Sequence, residues 1–368
     1  MLKTIKNNIQ NIPGKRLSRK LVVFESDDWG SIRIPSKKVM HQLADAGIAV
    51  HSNPFNYLDA LETETDLVSL FELLAQFKDH QGNHPVITAN CIVANPDFEQ
   101  IKKDQFETYH WESVIDSYQK NPGSTKAYQA FKDGMAAGVI WPQFHGREHV
   151  NIHQWLTSLQ NKTPEILKAF ELGVFGIDFK NNLSLRNNFM AAFDFNSPAE
   201  SAAKRQIVKE GLEEFERIYG MRSRSFIAPC YVWHRDLEPV LNENGVKYLQ
   251  GINYQFSPEI GKDQYRRILH TQGQKNETGQ RYFFRNAFFE PSLNRNFNWV
   301  DDCMKRINTA FFWGKPAIIG THRINFTGAI DEDNRIKNHE LLKLLLANIT
   351  NTWKDVEFIT SDRLGDLY

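Results

Sequence analysis

Short apolar segments that end in polar residues recur along the whole chain, and helical patterns lie between them. The candidate strands cover residues 21–26, 85–93, 139–144, 174–178, 225–230, 247–252, 281–290, 317–321 and 356–361. Amphipathic segments such as 67–77 and 339–350 separate them. Strands that alternate with helices predict βα units and a parallel sheet. Because a βα barrel places its reactive groups at the carboxyl ends of its strands, the recurring polar ends favour an α/β barrel.

Length and charge narrow the class of protein. The 368 residues are enough for one elaborated barrel, so we predict a single domain over 1–368, with a helical insertion at 151–224. The 44 basic and 44 acidic residues balance, so we expect no nucleic-acid partner. No apolar stretch approaches the roughly 20 residues that cross a bilayer, and none has the length of a signal peptide. The three cysteines are widely spaced. We therefore expect a cytoplasmic, reduced protein without a membrane partner.

The segment 21–24 runs directly into two adjacent acids, Asp27 and Asp28, followed by Trp29. Adjacent carboxylates repel each other, so a site that keeps both usually supplies a cation or a proton. The alternative is structural, because Ser26 and the two acids could cap a helix that begins near Trp29. This segment alone therefore leaves a metal or acid/base site and a helix cap both open.

A second apolar segment, 139–144, leads into His145 and His149. We expect these imidazoles on one helical face, at the spacing from which two nitrogen atoms bind a single divalent ion. Zinc accepts imidazole and carboxylate ligands together and leaves a position open for water. An ordinary surface helix is the alternative, but the acid pair at another strand end favours the metal. His153 continues the spacing, and a three-histidine site is the less favoured arrangement.

A third apolar segment, 317–321, ends in His322. By itself, this residue is equally well interpreted as a core histidine with a satisfied hydrogen bond. In a third position of the same type, an imidazole that titrates near neutral pH is a natural general acid.

In this order, the three segments resemble the polysaccharide deacetylase family, also called the NodB-homology or carbohydrate esterase family 4 group. That family begins with Thr-Phe-Asp-Asp-Gly, continues with His-(Ser/Thr)-x-x-His and closes with Leu-x-His. The resemblance implies a distorted (β/α)7 barrel of parallel strands. It also implies that Asp27 is the general base, that Asp28, His145 and His149 bind one divalent metal ion, and that His322 is the general acid.

The chain departs from the family at its third motif, Arg-x-Pro-Tyr. Ile227 stands where the family has the arginine that steadies the base, and Tyr231 falls one residue late. The candidates for a replacement are Arg147, Arg224 and Arg323. The resemblance also implies that a backbone N–H near Cys230 and Tyr231 helps to bind the oxyanion. The family's Asp-Trp-rich motif, which orients the acid histidine, has only a loose echo at 299–302.

The resemblance implies a metal-dependent hydrolase that removes an acyl group, expected to be N-acetyl, from a carbohydrate, with zinc as the expected ion. The residues predicted to contact the substrate or oxyanion are Tyr231, Cys230, Glu290 and Trp29. Trp29 could instead be a core residue, and Glu290 a solvated acid before a turn. Two other functions stay open: hydrolysis of a non-acetyl C–N bond in a small cytosolic amide, and a catalytically silent carbohydrate-binding barrel. The expected partner is an oligosaccharide or small-molecule substrate.

Overall fold

The computed structural model describes residues 2–177, 186 and 188–368. Its strands are β1 (Lys20–Trp29), β2 (Ile87–Ile92), β3 (Ala94–Pro96), β4 (Trp111–Ser113), β5 (Ile140–Gly146), β6 (Ser225–Ile227), β7 (Tyr248–Gly251), β8 (Tyr254–Ser257), β9 (Arg266–Leu269), β10 (Arg281–Phe284), β11 (Ala287–Phe288), β12 (Ala317–His322) and β13 (Val356–Phe358). Its helices are α1 (Leu2–Asn11), α2 (Lys37–Asp45), α3 (Phe55–Leu58), α4 (Glu64–Leu74), α5 (Phe98–Lys103), α6 (Val114–Lys120), α7 (Ala127–Ala136), α8 (Ile152–Gln160), α9 (Pro164–Glu171), α10 (Pro198–Tyr219), α11 (Glu238–Glu243), α12 (Trp299–Phe312), α13 (Glu332–Thr352) and α14 (Ser361–Asp366).

One parallel sheet carries most of the fold. Its strands follow the order β10-β7-β6-β5-β2-β1-β12-β11, and β13 pairs in parallel with the start of β1. Strands β3 and β4 form a separate antiparallel pair, as do β8 and β9. Helices such as α4, α7 and α10 connect consecutive strands of the sheet. The prediction of βα units with a parallel sheet is therefore confirmed.

The two edge strands of this sheet belong to one continuous segment of chain. β10 pairs with β7, and two residues later β11 pairs with β12. Between them, the Arg285 N–H donates to Gly251 O at 2.8 Å and the Asn286 N–H donates to Ile318 O at 3.1 Å. The segment thus crosses from one edge of the sheet to the other and closes a barrel. Counting β10 and β11 as one strand gives seven strands in the ring, which confirms the distorted (β/α)7 barrel.

The side chains of β1 alternate between two environments, as expected for a strand with period two. Val22 and Phe24 face the large apolar core beneath the surrounding helices. Leu21 and Val23 face the barrel interior, where they join a smaller apolar cluster. The same interior face continues upward with Glu25 and Asp27, so the barrel is filled by apolar side chains at the amino ends of its strands and by charged ones at the carboxyl ends.

Some predicted strands end earlier than expected or are absent. Residues 174–177 form no strand, and residue 178 lies outside the described residues. Val174 and Phe175 are instead buried in two satellite clusters, beside Ala169 and Trp155 respectively. The predicted strand at 356–361 stops at Phe358 because α14 begins at Ser361.

The region 151–224 contains α8 and α9, which pack in a satellite cluster, and α10, which packs against β5 of the barrel. Its status as an insertion into a single domain stays a prediction. No helix in the described part of the chain is both long and apolar enough to span a membrane.

Candidate active site

The end of β1 is a bulge that brings two consecutive carboxylates into one cavity. The pairing of β1 with β2 shifts register between Ser26 and Trp29, and Asp28 has φ +75°. A non-glycine residue in this left-handed region is strained, and such strain concentrates at functional sites. Because the bulge breaks the alternation of the strand, Asp27 and Asp28 both line the cavity instead of facing opposite sides.

The two predicted metal-binding histidines come together, but not on a helix as the spacing predicted. His145 belongs to β5, and His149 lies in the irregular segment before α8 begins at Ile152. Gly146, between them, has φ +145°, a conformation that suits glycine. The chain therefore turns after β5 and returns His149 beside His145. Asp28 Oδ1 lies 3.4 Å from His145 Nε2 and 3.3 Å from His149 Nε2.

The donor atoms of Asp28, His145 and His149 all lie within 4.8 Å of one another, and all three residues are buried. His145 Nδ1 is 2.8 Å from Ile227 O, to which it can donate, and the buried His145 Nε2 has no hydrogen-bond partner. This bond fixes the tautomer whose Nε2 lone pair is available to a metal. Two imidazole nitrogens and a carboxylate form a donor set that suits a divalent ion such as zinc. The residues thus fit the ion that the sequence predicts.

The protonation states of these groups also suit a metal. Burial would raise the pKa of Asp28, but His149 and His145 outweigh it and hold the pKa well below its ordinary value. Burial lowers the pKa of His149 despite the attraction of Asp28. An ionised carboxylate is the form in which Asp28 would bind a metal ion, and a lowered pKa of His149 makes its imidazole easier to deprotonate for the same purpose.

Asp27 is held by an arginine that the sequence analysis missed. Arg285 Nη2 and Nη1 donate to the two oxygens of Asp27 at 2.5 and 2.7 Å, and its Nε donates to Glu25 Oε2 at 2.9 Å. Asn90 Nδ2 donates to Asp27 Oδ1 at 2.8 Å. Burial would raise the pKa of Asp27, but Arg285 outweighs it and lowers the pKa. The guanidinium beside Asp27 therefore comes from the segment that closes the barrel, between β10 and β11.

The three arginines proposed as replacements have other partners. Arg147 pairs with Glu148 and Glu210, Arg224 with Asp366, and Arg323 with Asp59 and Glu62. That expectation is therefore corrected. No local signal marks Arg285, because only the closure between β10 and β11 brings it next to β1.

His322 is oriented by Glu290, which the sequence analysis placed at the substrate. His322 Nδ1 lies 2.6 Å from Glu290 Oε1, and Asn325 Nδ2 donates to Glu290 Oε2 at 2.8 Å. His322 Nε2 faces Asp27 Oδ2 at 3.7 Å. Burial lowers the pKa of His322, but Glu290 outweighs it and raises the pKa to about 10. Glu290 thus lies behind the imidazole and orients it, a role for which the sequence suggested only the loosely matching residues 299–302. Residues 299–302 instead form the first turn of α12.

Cys230 and Tyr231 line the cavity and adopt left-handed backbone conformations, with φ +55° and +58°. The N–H of Tyr231 donates to Ala228 O at 2.9 Å, so this amide already has an acceptor. The Tyr231 hydroxyl lies 3.2 Å from Arg285 Nη1. The geometry therefore brings the hydroxyl of Tyr231 to Arg285, beside Asp27, whereas its amide is bound to Ala228.

Two other candidates lie away from the cavity. Trp29 is 1% exposed, stacks on Phe326 and donates to Ser26 Oγ at 3.0 Å, so its indole belongs to the core. The expectation of a substrate contact at Trp29 is corrected accordingly. The side chain of His153 is 59% exposed and faces Glu200 at 3.5 Å, so the structure does not add it to the pair of histidines.

The cavity measures about 220 Å³, which is smaller than the pockets that enclose drug-sized ligands. The sequence-predicted residues on its wall are Asp27, Asp28, His145, His149, Cys230, Tyr231 and His322. It therefore has room for a small group beside the donor atoms of Asp28, His145 and His149, the carboxylate of Asp27 and the imidazole of His322.

No protein-family model and no curated protein sequence matches the chain. Among solved structures, the putative polysaccharide deacetylase from Mycobacterium smegmatis is similar at 11% identity and TM-score 0.48, over 96% of this chain and 93% of that one. The Puue allantoinase is similar at 12% identity and TM-score 0.42, over 96% and 91%. The 4-alpha-glucanotransferase from Thermococcus litoralis is similar at 9% identity and TM-score 0.47; the match covers 95% of this chain but only 41% of that longer one.

Proposed function

We propose that this chain is a metal-dependent hydrolase that removes an acyl group, expected to be N-acetyl, from a carbohydrate substrate. One observation carries the proposal. The ligand atoms of Asp28, His145 and His149 lie within 4.8 Å of one another, in the same cavity as Asp27 and His322. A three-ligand set beside a carboxylate and an imidazole is what metal-assisted acyl transfer requires.

When bound by Asp28, His145 and His149, a divalent ion such as zinc would supply Lewis acidity for an acyl oxygen and for a water molecule. Asp27 is ionised at neutral pH because Arg285 lowers its pKa. Its carboxylate would accept the proton of the attacking water, and the fork of Arg285 fixes its orientation. Arg285 also lies next to the Tyr231 hydroxyl, which faces the same side of the cavity.

His322 would protonate the departing amine or alcohol. Its Nδ1 is anchored by Glu290, so Nε2 is the atom that faces the reacting groups. Because Glu290 raises the pKa, the imidazole carries its proton at neutral pH and can deliver it. The base and the acid therefore differ in protonation state through their partners, Arg285 for one and Glu290 for the other.

The size of the cavity favours a second candidate, hydrolysis of a non-acetyl C–N bond in a small amide. A volume of about 220 Å³ suits a compact substrate, and the same residues would serve as base, acid and ligands. A screen of small amides against N-acetylated oligosaccharides separates the two candidates by which class is turned over.

The first experiment is elemental analysis of the purified protein, for wild type, the double variant His145→Ala/His149→Ala and Asp27→Asn. We expect close to one zinc or similar ion per wild-type chain and loss of the ion in the double variant. Asp27→Asn should keep the ion and lose turnover, because it removes the base and no ligand. Wild-type protein without metal, even after reconstitution, would refute the mechanism and favour a carbohydrate-binding barrel.

A further inference from the structure

Arg33 is a buried cation on the wall of the cavity, and it has no acidic partner among the described residues. It is 6% exposed and lines the cavity with the metal-ligand set. The only hydrogen bond that it donates to a described residue runs from Nη2 to Asn56 Oδ1, at 3.2 Å. Its Nε is buried without a hydrogen-bond partner. The guanidinium also lies over the ring of Phe55, 5.1 Å from the ring centre.

Asp27 and His322, which also line the cavity, each have a partner of opposite charge. Arg285 binds Asp27, and Glu290 binds His322. Asp59 feels the charge of Arg33 but forms no ion pair with it: Asp59 Oδ1 accepts two hydrogen bonds from Arg323, and its buried Oδ2 has no hydrogen-bond partner. A buried guanidinium that forms no ion pair within the described part of the chain, and whose Nε has no hydrogen-bond partner, is costly to maintain. An anion that enters the cavity would complement it.

We propose that Arg33 binds a carboxylate of the substrate, which makes the substrate class an acylated compound with a negative charge. This inference rests on the proposed function, because it assigns a specificity to the same cavity. Phe55 supports the placement: its ring contacts both Arg33 and His322, with a centroid distance of 5.2 Å to the imidazole. A carboxylate held by Arg33 therefore lies on the wall next to the acid that protonates the leaving group.

A guanidinium binds carboxylates through paired, charge-assisted N–H donors. Such a carboxylate could belong to an acidic sugar or to a small N-acylated amino acid. Two pairs of probes separate these sources, because the members of each pair differ in the presence of a carboxylate. The first pair is N-acetylmuramic acid and N-acetylglucosamine, and the second is N-acetylglycine and N-acetylglycinamide.

The experiment is calorimetric titration of each probe into the wild-type protein, Arg33→Gln, Arg33→Lys and Arg266→Gln. The last variant is the control for net charge, because Arg266 lies on β9 with its side chain 68% exposed. In at least one pair, we expect wild type and the control to bind the anionic member about tenfold or more tightly than the neutral member. Arg33→Gln should lose that preference and bind the neutral member as before, and Arg33→Lys should keep part of it. The pair that shows the preference identifies the source of the carboxylate.

Equal binding of both members of each pair by wild type would overturn the proposal, as would a preference that survives in Arg33→Gln. Because a carboxylate can also bind a metal ion, each titration is repeated after chelation, and the preference due to Arg33 should persist. Metal content is measured in parallel and should not change in Arg33→Gln. A wild-type protein that lacks metal but shows the preference would refute the proposed function and leave the role of Arg33 intact. If Arg33→Gln does not fold, wild type and Arg33→Lys still decide the outcome.

Discussion

Glu25 and Asp27, two residues apart on β1, share a single fully buried guanidinium, that of Arg285. Burial dominates at Glu25 and raises its pKa, whereas at Asp27 the arginine outweighs burial and lowers the pKa. Removing one partner of a buried ion pair leaves an uncompensated charge, which destabilises far more than the intact pair stabilises.

We therefore expect Arg285→Met to lower the free energy of unfolding by about 3–5 kcal/mol, and to abolish turnover because Asp27 loses its orientation. Urea denaturation at pH 7 measures the first effect. The control is Arg224→Met, which breaks a half-exposed pair with Asp366 and should cost under about 1 kcal/mol. Similar losses in the two variants would contradict the role assigned to Arg285.

Glu290→Gln tests the proposed general acid, His322. Removal of the carboxylate removes the attraction that raises the pKa of His322, so the imidazole should lose its proton at lower pH. The alkaline limb of the pH–rate profile should therefore move to lower pH by about one unit or more. Glu332→Gln, an exposed acid on α13, serves as the control and should leave the profile unchanged. An unshifted profile in Glu290→Gln would remove Glu290 from the mechanism.

Among individual residues, the sequence indicated those that stand in recognisable short motifs. Asp28, His145 and His149 stand in short motifs at strand ends, and the structure brings them together. Arg285 and Glu290 were missed or given another role because their partners lie far away in the sequence. Nothing adjacent to Arg285 indicates that its side chain crosses the barrel to β1.

Gly320 of β12 makes room for the arginine. A Cβ at this position would lie 2.5 Å from Arg285 Cδ and 3.2 Å from Phe288 Cδ1. The methylene group of Arg285 cannot easily move, because the guanidinium beyond it is fixed by two carboxylates. The absence of a side chain at position 320 of β12 thus makes room for Arg285 and for its ion pair with Asp27.

Gly320→Ala should accordingly destabilise the protein by about 1–3 kcal/mol, the usual range for overpacking, and reduce turnover through displacement of Arg285. Gly251→Ala on β7 is a matched control, because a Cβ there would meet its nearest neighbour only at 3.9 Å. Thermal unfolding and turnover of both variants provide the comparison. Equal behaviour of the two would mean that the barrel absorbs the extra methyl group.

Among the elements, the long periodic segments were predictable and the short ones were not. α13 contains the whole segment 339–350 that the sequence predicts as helical, and α4 contains residues 67–74 of the predicted segment 67–77. The spacing of His145 and His149 predicted a helix, but Gly146 places a turn between them, so the same convergence arises from a strand end. The apolar residues 174–177 satisfied the pattern of a strand while packing in satellite clusters outside the sheet.

For the molecule as a whole, acid should be destabilising through its buried imidazoles. Burial lowers the pKa of His270 from 6.5 to about 4, and the pKa of His339 is also lowered to about 4. In this pH range, His270 and His339 therefore bind protons in the unfolded chain but not in the folded one. Stability that is present above about pH 6.5 is lost as the pH falls towards 4. The loss is about 3 kcal/mol for each histidine whose pKa is shifted by this amount.

His270→Gln should flatten this dependence, giving a smaller loss of stability between pH 6.5 and 4 than wild type shows. Denaturant unfolding at four or five pH values within that window measures it. His41→Gln, on an exposed face of α2, is the control and should follow the wild-type curve. A His270→Gln curve parallel to that of wild type would show that other groups control the acid sensitivity.

The architecture of the whole molecule was predictable because each βα unit repeats the same local signals, and many repetitions compensate for individual errors. The way in which the barrel closes was not. A single predicted strand at 281–290 divides into β10 and β11, which belong to opposite edges of the sheet. Only long-range pairing determines that division, and it also determines the position of Arg285.

Strand β1 has consequences for biosynthesis. It lies between β12 on one side and β2 with β13 on the other, so Val22 is paired with both Ala317 and Phe358. While a ribosome extends the chain, this apolar strand is made well before two of its neighbours, β12 at residues 317–322 and β13 at residues 356–358. Until they follow, the backbone N–H and C=O groups with which β1 pairs to β12 and to β13 are open to other chains. The nascent β1 therefore keeps an unpaired apolar edge until β12 follows, and the carboxylates at its tip meet His322 only then.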